Sequence, residues 1–586
     1  MLQIINIQDE ESLSYPLCLL RISGTPNGEK EGFVRNLNED NENYCTYTVV
    51  NNSFNAFVFL KCGKNVIEVQ CGNASTSKTI YYNPPSHSRS VRLLYITCLN
   101  EEKFQGPPEM IRDANEAVKR IQIGALLMQT FLAETLSSEG LGRKTFQLEM
   151  TKQGMPKVFI IQIPLTIEES HKFPEEKLWE NIAIQILSSP LASRSCKYLA
   201  FFCGTRFMNP QKMKIENERQ VLSLTKGHVS LGGGGLALVG TGALYAYASN
   251  INDIMKNLSS EKKIDTQALM DFSARRGTYG ACYGTHLGSV LHELGHTFDL
   301  GHTADGIMSR GFEDFHLYFT VTHVNSGVTS NTQYKNLTKP SIPSSLIKNS
   351  MTFTTDFIRK KSVENISMVV EPLKDRMATS AVYSPSFSVR NYESSLKHYK
   401  SMNNINSPTS PCFEIFEHSC LSQNIKKVEF APKSPNPSSE SISFFKTPIM
   451  QFKINSSKSL SSSTLDANFA NDNNKIIDSF VGKQIACRAF WARSNAVILA
   501  YHKWINGSPD GAAPELKGSV LRSNYGIRAV ELRDSRMMAF HHWEYIEKNP
   551  PPIIHLPWAQ ISKWPNDSTI EVVAIDNDGG ILKEKC

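Results

Sequence analysis

The sequence contains no apolar run long enough to cross a membrane. A transmembrane helix needs about 20 consecutive apolar residues, and no run of even 18 occurs in the 586 residues. We therefore expect no membrane span. The N-terminal stretch MLQIINIQDEESLSYPLCLL also lacks a basic start, an apolar core and a cleavage site. We expect no secretory signal and a cytoplasmic or nuclear location.

Closely spaced cysteines and a strong charge of one sign are missing as well. The 12 cysteines are scattered and form no C-x-x-C pair, whereas disulfide frameworks are typical of short secreted domains. We expect reduced thiols. The chain has 62 Lys and Arg against 56 Asp and Glu, a net charge of +6. So small a charge, with no dense basic block, predicts that nucleic acid is not a partner.

The residues that are present divide the chain into four segments. Residues 1–105 hold short β-branched and aromatic runs between turn residues, which predicts a small β-sandwich. Residues 106–324 mix helical periodicity with strand-like runs and predict an α/β catalytic domain. Residues 325–474 are rich in Ser, Asn and Pro and predict a disordered insertion. Strand-like runs in residues 475–586 predict a C-terminal β domain. The predicted fold class is therefore multidomain α+β.

Particular runs carry the two β predictions. The strands expected in the first segment include VRLLYITCL (91–99). Those expected in the last include KQIACRAFW (483–491), AVILAYHKWI (496–505), GIRAVEL (526–532) and TIEVVAI (569–575). Five of the six tryptophans lie in the last segment. They suit either the core of a small β domain or a surface that docks a glycan or a protein.

The most informative segment is YGTHLGSVLHELGHTFDLGHTADGIMSRGF, residues 283–312. A helix is predicted over 285–298, because leucine and phenylalanine recur on one face. His292 and His296 are four residues apart and lie together on the opposite face. Glu293 lies about 100° away, within side-chain reach of the same place. This H-E-x-x-H pattern allows two imidazoles to bind one ion beside a carboxylate.

One zinc ion suits these ligands, because zinc binds neutral imidazole and in catalytic sites has three protein ligands and an open position. His302 is the best third ligand, since it follows His296 by six residues, beyond a predicted helix end. Asp299, Asp305 and the more distant Glu313 remain alternatives. Zinc lowers the pKa of a bound water from 15.7 to about 7. Glu293 would accept the proton of that water and later donate it to a leaving amine.

The stretch from His292 to His302 resembles the metzincin signature H-E-x-x-H-x-x-G-x-x-H. The resemblance implies a metzincin-like fold, zinc ligands at His292, His296 and His302, and a general base at Glu293. It also implies a methionine turn beneath the zinc, at Met308. Asp299 stands where metzincins have a glycine in a left-handed turn, and aspartate tolerates that conformation better than most residues.

A longer stretch, including GGGGLALVGTGALY (232–245), resembles the eukaryotic family named "putative zinc metalloproteinase". In metzincin-like enzymes an edge strand pairs with the backbone of the substrate. A Gly-rich strand with a purely structural role is the alternative here. The predicted substrate edge strand consists of Leu236, Ala237, Leu238, Val239 and Gly240.

These observations favour a zinc-dependent metalloendopeptidase that acts on a peptide or protein substrate. Two alternatives remain open from the sequence. The chain could be a protein- or glycan-binding module whose zinc site is structural or vestigial, or a zinc hydrolase of substrates other than peptides. The same three histidines and glutamate would serve in the second case.

Overall fold

The computed structural model describes residues 1–38, 45–321, 413–414, 487–508, 511–558 and 569–586. Every described residue belongs to one unit, formed by Met1–Glu417 and Cys487–Cys586. A second unit, His418–Ala486, lies outside the described residues. The predicted disordered insertion, 325–474, also lies outside them except for residues 413–414.

The N-terminal strands form two sheets that share one hydrophobic cluster, to which both contribute buried aliphatic side chains. Alternate residues are buried along the strands Glu31–Asn36 and Gly63–Cys71, as expected where one face of a sheet packs on a core. The three-stranded sheet consists of β1 (Gln3–Ile4), β3 (Leu17–Ser23) and β6 (Ser53–Phe59). The five-stranded sheet has the order β2 (Glu11–Leu13), β8 (Ala74–Tyr82), β7 (Gly63–Cys71), β4 (Glu31–Asn36) and β5 (Cys45–Thr48).

A mixed six-stranded sheet follows and carries the predicted site. Its four inner strands are parallel to one another, and the strand at each end is antiparallel to its neighbour. Strands buried on both faces have nearly continuous apolar sequences, as CKYLAFF and LALVG do here. The order is β14 (Ser230–Gly233), β15 (Leu236–Gly240), β11 (Cys196–Phe202), β9 (Ser90–Thr97), β10 (Val158–Gln162) and β16 (Phe413–Glu414).

The strand predicted over 91–99 therefore belongs to a different sheet from the one expected. β9 lies between β10 and β11 in the mixed sheet, parallel to both. All but one of its residues are buried, which suits an inner strand with both faces covered and not the half-exposed strand of a small sandwich. The domain boundaries themselves stay predictions.

Helices cover this sheet and link its strands. The long helix α1 (Ala114–Ser138) and the helix α6 (Tyr279–Thr297) contact both the sheet and each other, and α3 (Glu175–Leu187) contacts β14. No described helix combines the length and the apolar character that crossing a bilayer requires. The shorter elements are α2 (Ile167–Ser170), α4 (Glu218–Ser223), α5 (Ile254–Leu258), α7 (Phe315–Phe319), the 3₁₀ turns Leu244–Ala246 and Arg310–Asp314, and the pair β12 (Arg206–Phe207) and β13 (Thr225–Lys226).

The C-terminal segment begins with helices and continues as strands. The strand predicted over 496–505 is wrong, because α8 (Arg493–Tyr501) and α9 (Lys503–Asn506) occupy this region. A short apolar run that is buried on all sides does not distinguish helix from strand by periodicity. The part of 483–491 that is described, 487–491, contains no strand.

The strands predicted over 526–532 and 569–575 are present as β19 (Ile527–Arg533) and β22 (Glu571–Asp576). They lie side by side in a four-stranded antiparallel sheet, and three further strands form a smaller one. The first has the order β20 (Ala539–Glu544), β19 (Ile527–Arg533), β22 (Glu571–Asp576) and β23 (Ile581–Lys585), and the second has the order β17 (Glu515–Lys517), β18 (Val520–Arg522) and β21 (Ile553–His555).

The tryptophans of this segment lie in or beside hydrophobic clusters. Trp491 and Trp504 are buried in the main core, and Trp543 and Trp558 pack against the C-terminal cluster. Trp564 lies outside the described residues. A docking surface for a glycan or a protein on this segment stays a prediction.

Candidate metal centre

Helix α6 carries the H-E-x-x-H residues. The Thr278 side chain accepts a hydrogen bond from the Ala281 N–H and caps the N-terminus of the helix. The helix runs from Tyr279 to Thr297, so it starts six residues before the predicted 285. Its predicted apolar face is fully buried: Leu287, Leu291, Leu294 and Phe298 are at most 1% exposed.

The two helix histidines face each other across one turn. The Nε2 atoms of His292 and His296 are 3.2 Å apart, with the ring planes nearly perpendicular. His292 is buried and His296 is half-buried, so the pair lies at the edge of the core.

The chain bends sharply after the helix and brings His302 to the same place. Asp299 has a φ of +65°, the left-handed conformation that glycine supplies in the metzincin signature. The ring centroid of His302 is 5.4 Å from that of His292 and 4.8 Å from that of His296. One ring nitrogen from each of the three histidines lies within 4.8 Å of the other two.

Backbone carbonyls hold the second nitrogen of each ring. The Nδ1 atoms of His292, His296 and His302 lie 2.8, 3.0 and 3.3 Å from the carbonyl oxygens of Ile307, Leu300 and Arg536, respectively. Since a carbonyl only accepts, each Nδ1 donates. Each Nε2 therefore carries the lone pair, which is the arrangement that second-sphere contacts impose on metal-binding histidines.

Burial keeps these imidazoles neutral. It lowers the pKa of His292 to about 3, and it also lowers the pKa values of His296 and His302. Neutral imidazole is the form that binds metal.

The geometry of the pair fits zinc. In a tetrahedral site with Zn–N distances of 2.0–2.1 Å, two ligand nitrogens are about 3.3 Å apart. The observed separation of the His292 and His296 Nε2 atoms is 3.2 Å. Two lone pairs at this distance repel each other unless a cation lies between them. The three histidines could therefore hold a metal ion; that they do so stays a prediction.

Glu293 follows His292 on α6, and its side chain lies against the strand β14. The Ser230 hydroxyl donates to its Oε1 at 3.1 Å, and the backbone N–H of Gly232 also donates to its carboxylate. Burial, and then the nearby carboxylate of Glu175, raise the pKa of Glu293 to about 8. A divalent cation at the histidines would favour its ionised form.

Met308 packs against the helix α6, at Gly295, and its role as the methionine beneath a metal stays a prediction. Its side chain is 1% exposed. Its sulfur lies against Gly295, since a Cβ on this glycine would come within 2.7 Å of the Met308 Sδ. The Thr303 N–H donates to the Met308 carbonyl, which closes the turn between His302 and the 3₁₀ turn that follows.

The alternative third ligands have other partners. Asp299 accepts a hydrogen bond from His502 at 3.2 Å and forms an ion pair with Lys583. Glu313 pairs with Arg310 and Arg488. In the part of the chain that the structure describes, the metal-compatible cluster contains only histidines, and Asp305 is not in it.

The predicted substrate edge strand is not at an edge. Leu236 to Gly240 form β15, which pairs with β11 on one side and with β14 on the other. All five residues are buried. The prediction is wrong because GGGGLALVG forms a hairpin, and its first, Gly-rich arm takes the outer position. A substrate backbone cannot pair with a strand whose two sides are both occupied.

Some residues at the site give no recognisable signal in the sequence. Ser230 and Gly232 approach Glu293 from a separate strand, and the Glu175 carboxylate accepts a hydrogen bond from the Ser230 N–H at 2.5 Å. The Arg536 carbonyl reaches His302 from more than 230 residues away. Only the Gly-rich run at 232–235 hints at the close approach, because a Cβ on Gly232 would clash with the Glu293 backbone.

A protein-family model described as "Putative peptidase family" matches residues 1–384. The chain belongs to this peptidase family. The match includes all three histidines and ends before the C-terminal segment.

Two curated yeast proteins, both named "Putative zinc metalloproteinase", are similar to this family member. The Schizosaccharomyces pombe protein is 25% identical over 295 residues, 47% of this chain and 46% of that protein. The Saccharomyces cerevisiae protein is 24% identical over 369 residues, 56% of this chain and 51% of that protein. The chain spans about half the length of the curated relatives it matches.

Solved structures give a weaker likeness. Two crystal structures of wild-type OgpA from Akkermansia muciniphila align with 86% of this chain and with 94% and 92% of theirs. The sequence identities are 10% and 11%, with TM-scores of 0.35 and 0.37. No conclusion about this peptidase-family chain follows from scores so low.

The Asp299 contacts predict a pH-dependent contribution to stability. Burial raises its pKa, but Lys583 and the hydrogen bond from His502 outweigh burial and hold the pKa well below the usual value. Asp299→Asn, which tolerates the same backbone conformation, should lower the free energy of unfolding by about 1–3 kcal/mol at pH 7.

This difference should shrink as the pH falls below about 3.9, the unfolded-state value, because a depressed pKa stabilises only while the carboxylate stays ionised. Urea unfolding of both proteins across this pH range is the measurement. Equal stability at pH 7, or a difference that grows on acidification, would contradict this assignment.

Proposed function

We propose that this member of the peptidase family is a zinc-dependent metalloendopeptidase. One observation carries the proposal: one ring nitrogen from each of the three histidines lies within 4.8 Å of the other two, and a backbone carbonyl fixes each ring. His292, His296 and His302 would hold the ion, and the fourth position would stay open for solvent and substrate.

The proposed reaction needs one group that acts first as a base and later as an acid. When bound, zinc would supply Lewis acidity and make a water molecule acidic enough to lose a proton near neutral pH. Glu293 would receive this proton on its carboxylate and donate it to the leaving amine. The Ser230 hydroxyl and the Gly232 N–H would keep the carboxylate in place during both transfers.

Peptide bonds are the proposed substrate for two reasons. The chain belongs to a peptidase family, and its curated yeast relatives are named as metalloproteinases. The chemistry of the site agrees, because a half-buried carboxylate that shuttles one proton suits the release of an amine. The turn that packs Met308 against Gly295 of the histidine-bearing helix supports a metzincin-like character of the centre.

Replacing Glu293 by glutamine tests the proposed base. Glu293→Gln keeps the size and the contacts with Ser230 but cannot accept a proton. We expect zinc content near one ion per chain and a loss of peptide hydrolysis of at least about 10²-fold. The measurements are elemental analysis and cleavage of a broad peptide library.

Activity equal to that of the wild type would refute the role of Glu293. A wild-type protein that binds zinc but cleaves no peptide would instead support the alternative of a structural or vestigial site.

Replacing His302 by alanine tests the third ligand. We expect His302→Ala to lower zinc affinity by at least about tenfold, because two imidazoles and solvent cannot replace three fixed ligands. His171→Ala is the matched control, because His171 is also half-buried and its ring is hydrogen-bonded to one backbone carbonyl, that of Gly204. This variant should leave zinc binding unchanged. Competition with a chromogenic chelator measures both affinities, and unaltered zinc binding in His302→Ala would exclude this residue as a ligand.

A further inference from the structure

The loop that carries the third histidine, residues 299–302, is held by the C-terminal segment 487–586. The His302 N–H donates to the Met537 carbonyl at 2.8 Å, and the Ala539 N–H donates to the His302 carbonyl at 2.8 Å. These two bonds form a parallel bridge between the loop and the start of β20. The backbone of His302 is thus clamped on both sides by a part of the chain that lies beyond the insertion.

The C-terminal turn at residues 534–538, just before β20, also holds the imidazole of His302. The Arg536 carbonyl accepts the hydrogen bond from the His302 Nδ1, and the turn that presents this carbonyl is itself fixed. The Asp534 carboxylate accepts hydrogen bonds from the backbone N–H groups of Arg536, at 2.9 Å, and Met538, at 2.8 Å. Both the backbone and the ring of His302 therefore depend on one short C-terminal turn.

Arg533 joins this turn to the loop from below. It is the last residue of β19 and is completely buried, with Nε 2.6 Å from the equally buried Glu531. Its Nη2 donates to the Asp299 carbonyl at 2.8 Å. Its side chain also fills the space beneath Gly301, where a Cβ would come within 2.5 Å of the Arg533 Nε and 2.7 Å of the Met537 carbonyl.

The buried ion pair explains how a cation is tolerated so close to a metal centre. Glu531 neutralises the guanidinium, and the planar fork of arginine reaches Glu531 and the Asp299 carbonyl at the same time. A lysine could keep the charge but not both contacts.

We propose that the C-terminal segment 487–586 completes the metal centre and that Arg533 is the positioning residue that sets His302 against the two helix histidines. This inference rests on the proposed metal-binding role of His302. It reaches beyond the residues matched by the family model, which end at 384.

Three variants of the full chain test the proposal. Arg533→Lys keeps the charge that Glu531 needs and removes the fork. Gly301→Ala drives a methyl group between the loop and the C-terminal turn while leaving that turn's sequence intact. Arg528→Lys is the control, because Arg528 is a buried arginine of the same strand whose fork binds Asn577 and the carbonyls of Tyr545 and Glu547, not the loop.

Zinc affinity by chelator competition and the unfolding midpoint of the metal-free protein are measured for all three. We expect Arg533→Lys and Gly301→Ala each to weaken zinc binding by about 10–100-fold, the usual effect of losing an outer-sphere contact. Arg528→Lys should lower the midpoint as Arg533→Lys does but leave zinc affinity unchanged. Wild-type affinity in both test variants, or equal weakening in the control, would overturn the proposal.

If the variants do not fold, hydrogen exchange of the wild-type chain tests the proposal instead. Added zinc should slow exchange at 299–303 and, through the bridge, at 534–540. Protection at the loop without protection at the turn would overturn the proposal and leave the proposed function intact. A wild-type chain that binds no zinc would refute both.

Discussion

Three hydrogen bonds from imidazole Nδ1 atoms to backbone carbonyls orient the histidines of the candidate metal centre. Each bond fixes a tautomer and a ring plane, so that the lone pair of each ring is on Nε2, and one ring nitrogen from each histidine lies within 4.8 Å of the other two. Lone pairs held this close together are unfavourable without a cation, because they repel one another. The core that holds α6 against the mixed sheet thus maintains an arrangement that a metal ion would stabilise.

These three carbonyls come from separate parts of the chain. Leu300 lies in the bend after the helix, Ile307 in the methionine turn, and Arg536 in the C-terminal segment. The first two lie within 15 residues of the histidines that they hold. The third requires the chain to return after more than 200 residues, so the centre depends on tertiary packing between the α/β region and the C-terminal sheet.

Much of the centre could be predicted from local sequence, and the rest could not for definable reasons. The helix, its apolar face and the two facing histidines follow from periodicity, and His302 follows from a fixed offset. Asp299 in the left-handed turn agrees with its substitution for glycine. Periodicity could not distinguish the buried helix α8 from a strand. Nor could it tell which arm of the Gly-rich hairpin is outermost, because both arms lack an alternating pattern.

Zinc-edge X-ray absorption of the purified full chain tests the central claim most directly. Three imidazole nitrogens on one zinc, at about 2.0–2.1 Å, with one further light atom completing the shell, is the predicted result. Sulfur scattering at about 2.3 Å, or a shell with fewer than three imidazoles, would contradict a centre built from His292, His296 and His302.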